Sequence, residues 1–291
     1  MALIARMVLL LAGALALAGC GAPGEPERDW PAPSPAIWEL TAPGGGKGWL
    51  FGTVHALPGG LAWRTAPLDE AIGQSGLLVV EIAELGDTDL GRETFTAAAH
   101  TPGLPPLLAR VPEPDRPPLR ALMADAGLGD TDLADTETWA AALVIASSLR
   151  QYDPANGADR ALMADAPAIE GLETYAGQFA RFDGLSARAQ VKLVRALSED
   201  ERSALRDARI EAWLTGDVQR LEELAGGTLL EDTELRDTLL TARNRAWAGR
   251  IAMLVEGGRR PFVAVGAGHM LWEDGLPALL AARGFTVRRR Q

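Results

Sequence analysis

Six consecutive residues, Leu77-Leu78-Val79-Val80-Glu81-Ile82, constrain the fold of this chain more than any other segment. A strand with one face in water alternates apolar and polar side chains, whereas this run is apolar on both faces except at Glu81. It is expected as an inner strand, with protein packed over both sides of its sheet. Strand patterns recur near both ends of the chain: at residues 37–41 and 49–54 around Gly44-Gly45-Gly46-Lys47-Gly48, and again at 261–265 and 285–288. The first pair predicts a hairpin. Short helices are predicted at 67–75 and 275–283.

Between these flanks, residues 115–256 read mainly as helix. Leu172, Tyr175, Phe179 and Phe182 recur at helical spacing along one face, and Thr136 stands as an N-cap before Glu137. The heptapeptide Arg-Ala-Leu-Met-Ala-Asp-Ala occurs at 120–126 and 160–166 with no third copy, which argues against a solenoid. Together these patterns predict an α/β fold: a central mixed sheet of N- and C-terminal strands that carries a large helical insertion.

The N-terminus has a different character. Residues 1–6 carry one positive charge, and 7–18 form an apolar run interrupted only by Gly13. A membrane-spanning helix needs about 20 apolar residues, so this shorter run reads as a removable signal. Leu17-Ala18-Gly19-Cys20 resembles the lipobox of bacterial lipoproteins, in which cleavage precedes a cysteine that is then acylated; Cys20 is the chain's single cysteine. The expected organisation is a signal at 1–19, an anchor and proline-rich tether at 20–36, and one domain at 37–291, near the ~250–300 residues at which single cores stop growing. The implied location is the cell envelope, facing the periplasm, with Gly21 after the anchor favouring the outer membrane. Membrane contact would come through lipid on Cys20, since a formal charge of −11 argues against a polybasic membrane patch and against nucleic acid as a partner. One cysteine also excludes a Cys-based zinc site.

Two of the three histidines follow the same pattern after predicted strands, Gly52-Thr53-Val54-His55 and Gly266-Ala267-Gly268-His269. A histidine at a strand end projects from a rigid element into a loop-lined cleft, a placement that suits a metal ligand; a lone motif of this kind would read as a structural histidine. His100, in Ala-His-Thr-Pro, reads as a bystander. Glu81 pays a desolvation penalty in its apolar strand unless a cation or several donors meet it, so it needs either a buried arginine such as Arg243 or a metal or general-base role. Asp130-x-Asp132 fails as a calcium loop because Asp135 and Ala141 stand where glycine and glutamate are required. No phosphate-cradling loop and no Gly-x-Ser-x-Gly elbow is present.

These motifs and the residues around them resemble the TraB/GumN family, whose relatives include the Tiki metalloproteases. The resemblance runs from about Ile37 to Arg288. It rests on Gly52-x-x-His55 followed by Leu57-Pro58 and Trp63, on Val79-Val80-Glu81, on Gly157-x-Asp159, on Leu172-Glu173-Thr174 with Gln178, on Arg243-Asn244, and on Val265-Gly266-Ala267-Gly268-His269 with Gly275 and Gly284. It implies an α/β fold with a helical insertion and a cleft where both motifs and the strand glutamate converge. In Tiki-like relatives that cleft is a metal-dependent peptidase site. Carried over, it implies His55, His269 and Glu81 as ligands of a divalent ion (zinc, manganese or cobalt), Glu81, Glu173 and Arg243 as catalytic groups, and Gly52, Asp159, Gly266, Gly268 and Asn244 beside the substrate. Simpler readings stand beside these: Asp159 as a helix cap, Glu173 in solvent, Arg243 as the structural partner of Glu81 or Glu173. Many relatives carry glycine shortly after the second histidine, where this chain has Met270-Leu271-Trp272, so Trp272 is expected to narrow the pocket.

The expected function is a metal-dependent hydrolase of the envelope, a peptidase with a peptide or protein substrate. Its rival is a non-catalytic protein that captures a peptide or signal in the same cleft.

Overall fold

The computed structural model describes residues 28–200, 203–226 and 228–291; the signal at 1–19 and the anchor Cys20 lie outside the described residues. Six strands, β1 (Ile37–Thr41), β2 (Lys47–Thr53), β3 (Leu77–Ile82), β4 (Ile169–Glu173), β5 (Pro261–Gly266) and β6 (Thr286–Arg289), form one mixed sheet in the order β4-β3-β5-β2-β1-β6. The four strands β4, β3, β5 and β2 are parallel; β1 runs antiparallel to them, and β6, antiparallel to β1, completes the sheet in the direction of the four. Parallel neighbours end at one edge, so Glu173, Glu81, Gly266 and Thr53 arrive together there, where open α/β sheets place their ligands.

The helices of seven residues or more are α1 (Ala66–Gln74), α2 (Thr88–Ala99), α3 (Arg116–Asp125), α4 (Thr138–Ser148), α5 (Ala158–Asp165), α6 (Tyr175–Asp183), α7 (Ala187–Asp200), α8 (Ser203–Leu214), α9 (Val218–Ala225), α10 (Ala242–Glu256) and α11 (Leu276–Ala282). The apolar run at 77–82 explains the layering. Leu78 and Val80 face a core with Phe51, Phe262 and Trp213, while Leu77 and Val79 face another with Trp247, Ile251 and Leu254 of α10. Ile82 reaches a third core within the helical insertion, centred on Trp139, Phe95 and Phe179. Among the described residues no helix is long and apolar enough to cross a membrane.

Several local expectations are corrected. The helical middle contains strand β4, and Leu172 belongs to it, packing on the α10 side rather than with Tyr175 and Phe179. Thr174 ends that strand and caps α6 by accepting the Gly177 N–H, so the stripe starts one turn later than its spacing implied. Thr136 does not cap α4, which starts at Thr138; it bridges His100, and the Gln190 side chain accepts the Trp139 N–H instead. Residues 28–36 are coil, but they lie against the domain. Arg28 pairs with Asp207 and Glu211 at 2.9 and 2.7 Å, and the Ser34 N–H donates to Leu214 O at 2.7 Å.

Candidate functional site

The parallel pairing of β2 with β5 sets Gly52 beside Val265 and Thr53 beside Gly266, so the two motifs leave adjacent strands nearly level. A Cβ on Gly52 would lie 2.9 Å from Ala267 Cα, and only glycine lets the second motif pass this close. The Gly52 carbonyl accepts the Trp213 indole N–H at 2.7 Å. Beyond β5 the chain turns at once into a single 3-10 turn, Ala267–Met270, that carries His269 inward; beyond β2 it continues as a loop that leaves His55 facing the cleft.

His269 is buried, at 4 % exposure, and packs on Trp247 with ring centroids 4.4 Å apart. The Asn244 amide donates to Asp274 O at 2.8 Å, which turns its Oδ1 toward His269 Nδ1 at 2.6 Å. Nδ1 therefore carries the proton, and the Nε2 lone pair faces the Arg243 guanidinium at 3.2 Å. Burial pushes the pKa of His269 down to about 4; Glu81 opposes this, and Arg243 and His55 reinforce it.

Glu81 accepts from the Gly266 N–H at 2.8 Å through Oε1 and from Arg243 at 2.6 Å through Oε2. Arg243 also donates to Glu173 at 2.9 Å and to Leu239 O at 3.0 Å, and lies 4.5 Å over the Trp247 ring. Burial works against the charge on Glu81 but is outweighed by its cationic neighbours and the Gly266 N–H, and the pKa falls to about 2. The largest of these effects comes from His269, protonated in the acid range where Glu81 titrates, then from Arg243 and His55. Arg243 thus partners both Glu81 and Glu173, and Glu173 is not a solvent-facing residue: its side chain is 5 % exposed.

His55 stands differently. Its Nδ1 donates to Asp159 Oδ2 at 3.1 Å, and its side chain is 64 % exposed toward the cleft. Burial opposes its charge, and Asp159 and Glu81 overcome that opposition, while Arg150 acts against them. Solvent screens all of these contributions, so the direction, upward, is what the geometry secures. Asp159 is in the first turn of α5 but makes no cap there; it holds the imidazole.

The three groups meet around Gly266. A Cβ there would lie 3.1 Å from Glu81 Oε1, 3.5 Å from His55 Nε2 and 3.8 Å from His269 Cδ2. They open into a cavity of about 550 Å³ that Gly268, Leu271, Arg150, Arg206 and Arg209 also line. Gly52 and Asn244 stand behind this wall rather than on it. Trp272 does not narrow the cavity: at φ 62° it packs beneath Arg236, 4.7 Å from the guanidinium. A larger hollow of about 700 Å³, between residues 28–33 and 58–62, contains none of the candidate site residues.

Two imidazoles with Nδ1 engaged by outer partners, plus a carboxylate, are a donor set that fits a divalent cation in kind. The spacing is wider than a metal site requires. Among the described residues no three His, Cys, Asp or Glu side chains stand close enough to hold a metal, and here Arg243 lies against His269 Nε2. Sequence reasoning missed Thr53 and Arg150 in the cavity wall and Asp274 behind Asn244. Only Thr53 had a signal available, its place inside the first motif. Comparison with the curated proteins and with solved structures returns no match. The TraB/PrgY/gumN family model matches residues 36–289, almost every residue from the first strand to the last, and this protein belongs to that family.

Proposed function

We propose that this protein is a metal-dependent hydrolase of the cell envelope, acting as a peptidase on a peptide or protein. The observation that carries the proposal is the convergence of His55, Glu81 and His269 around Gly266, with Asp159 and Asn244 orienting the two imidazoles. His55 and His269 through Nε2, with Glu81, would hold the cation: zinc, manganese or cobalt. When bound, such an ion supplies Lewis acidity and makes water a nucleophile near neutral pH.

The chain's own groups account for the rest. Asp159 and Asn244 fix the tautomers, an outer-partner role whose loss costs 10- to 100-fold in metal affinity or activity. Glu81, ionised at neutral pH, is either the third ligand or the base that would take a proton from the attacking water. Arg243 holds Glu81 in position and presents cationic charge to the carbonyl oxygen that becomes negative.

One observation favours capture without turnover. Arg243 already satisfies Glu81 and faces His269 Nε2, as in a purely structural ion pair. The test is a peptide library incubated with purified protein at stoichiometric zinc, with chelation as control. Cleavage abolished by chelator supports the hydrolase; binding without cleavage supports the rival. Glu81→Gln separates roles, since a base variant keeps metal and loses turnover, whereas a ligand variant loses both. The envelope anchor is part of the same proposal. Cys20→Ala should release processed protein from the membrane fraction, because the lipid supplies nearly all membrane affinity.

A further inference from the structure

The cavity around the motifs is half of a pair. A second one, of about 310 Å³, adjoins it, and Thr53, His55, Glu81, Arg150 and Gln178 line both. The reacting groups therefore sit at a junction, and the two sides differ in lining: arginines cluster on one and aromatic rings on the other. On the first side stand Arg150, Arg206, Arg209 and Arg243, with Glu81 as the one carboxylate among the described residues of the wall. In a chain of net charge −11 this is a local reversal of sign. Arg243 is neutralised by Glu81 and Glu173, but Arg206 donates to the Gln151 side chain, a neutral acceptor that leaves its positive charge facing the cavity. Such a wall draws in and orients an anionic group.

The second side carries the aromatic lining, Phe95, Phe179 and Phe182 with Val80, Ile82 and Leu143, alongside Asp159 and Arg160. Its aromatic floor is rigid. Phe95 and Phe179 meet edge to face at 5.4 Å, and Phe179 and Phe182 stack on Trp139 at 5.9 Å each. At the junction, the Thr53 side chain is buried, and its hydroxyl has no hydrogen-bond partner among the described residues. A buried hydroxyl of this kind costs stability unless something meets it, and it stands where a bound main chain would pass.

We infer that the cleft selects a peptide whose scissile bond lies between an acidic group and a large apolar residue. The acidic group lies against Arg150 and Arg206, the apolar side chain enters the Phe95–Phe179 cavity, and the Thr53 hydroxyl bonds the main chain between them. The inference rests on the hydrolase reading for cleavage, though not for binding.

The test uses quenched fluorescent octapeptides with Asp and Phe flanking the central bond in either order, their Asn and Ala analogues, and versions with a free or amidated C-terminus. Protein is supplied with zinc. The expected result is kcat/KM higher for the Asp–Phe pair by about tenfold or more over each analogue. Arg150→Gln, at an exposed position, should collapse the Asp-to-Asn ratio, and Leu143→Phe, which fills the aromatic-lined cavity, should collapse the Phe-to-Ala ratio. Sensitivity to amidation rather than to Asn assigns the anion to the chain end, and either source supports the inference. Equal rates across all analogues, or an Asp-to-Asn ratio unmoved by both Arg150→Gln and Arg206→Gln, overturn it. If nothing is cleaved, fluorescence anisotropy of the same peptides decides. An Arg150-dependent preference for Asp with Phe keeps the inference and removes the hydrolase reading, while absent or indiscriminate binding removes the inference.

Discussion

His55 and His269 follow the same four-residue pattern from adjacent parallel strands, but the first ends in a loop open to the cleft and the second in a buried 3-10 turn. The first is held by a carboxylate, which favours its protonated form; the second by an amide beside a guanidinium, which favours its neutral form. Identical motifs thus deliver, in the metal-free protein, one imidazole that favours its second proton and one that keeps its lone pair, within reach of one glycine. The motif sets where the backbone goes, and the partner on Nδ1 sets what the ring can do.

The largest expected effect ignores this difference. If the histidines share one catalytic task, His55→Ala, His269→Ala and the double variant should each lose about 10⁴-fold or more in kcat/KM, without additivity and with metal content reduced in all three. Full metal and activity in either single variant would break the shared site and favour the capture reading. Arg243→Met comes next, because it removes the guanidinium that pairs with buried Glu81 and leaves Glu173 only Arg181, 3.6 Å away, on the His269 side. Urea unfolding should show a loss of about 3–5 kcal/mol. A loss under about 1 kcal/mol would mean that His269 lies in no more constrained a setting than His55.

Stability should then separate the two rings directly. His269→Ala removes a buried ring from Trp247 and leaves Asn244 without its partner, for about 2–3 kcal/mol, whereas His55→Ala at the open cleft should cost under about 1 kcal/mol. Equal losses would erase the contrast. The smallest effect is in pH dependence of the metal-free protein. His269 has a folded pKa of about 4, below its ordinary 6.5, so its contribution is present above 6.5 and is lost as pH falls toward 4. The loss between pH 6.5 and 5 should be on the order of 1.5 kcal/mol. Glu81, held at about 2, adds its loss only below 4.5. His55, raised, acts in the other direction: its contribution is complete below 6.5 and fades as pH rises. Thermal unfolding across pH should therefore lose its acid slope in His269→Gln and its alkaline slope in His55→Gln.

What could be read from sequence was whatever depended on a continuous pattern. The 77–82 run announced an inner strand because six residues exclude water from both faces, and Glu81 was conspicuous for interrupting them. Both histidine motifs were visible because each is local. Strand β4 was not: Ile169-Glu170-Gly171-Leu172-Glu173 is half-buried throughout, has no apolar run, and lends Leu172 to an apparent helical stripe. Pairings across the chain were equally hidden. That Asp159 would hold His55 across 104 residues, or that Arg243 would bridge two carboxylates, depends on packing that no local pattern encodes. Arg150 carried no signal at all.

The register that sets Phe51 beside Ala264 also governs how the molecule comes into being. The centre of the sheet joins the beginning of the domain to its end, a pairing of high contact order that forms slowly. Until Pro261 to Gly266 has been synthesised, β2 and β3 each lack the neighbour between them, and both present apolar edges able to recruit another chain. A nascent chain that pauses short of this segment is a candidate for aggregation rather than a smaller functional unit.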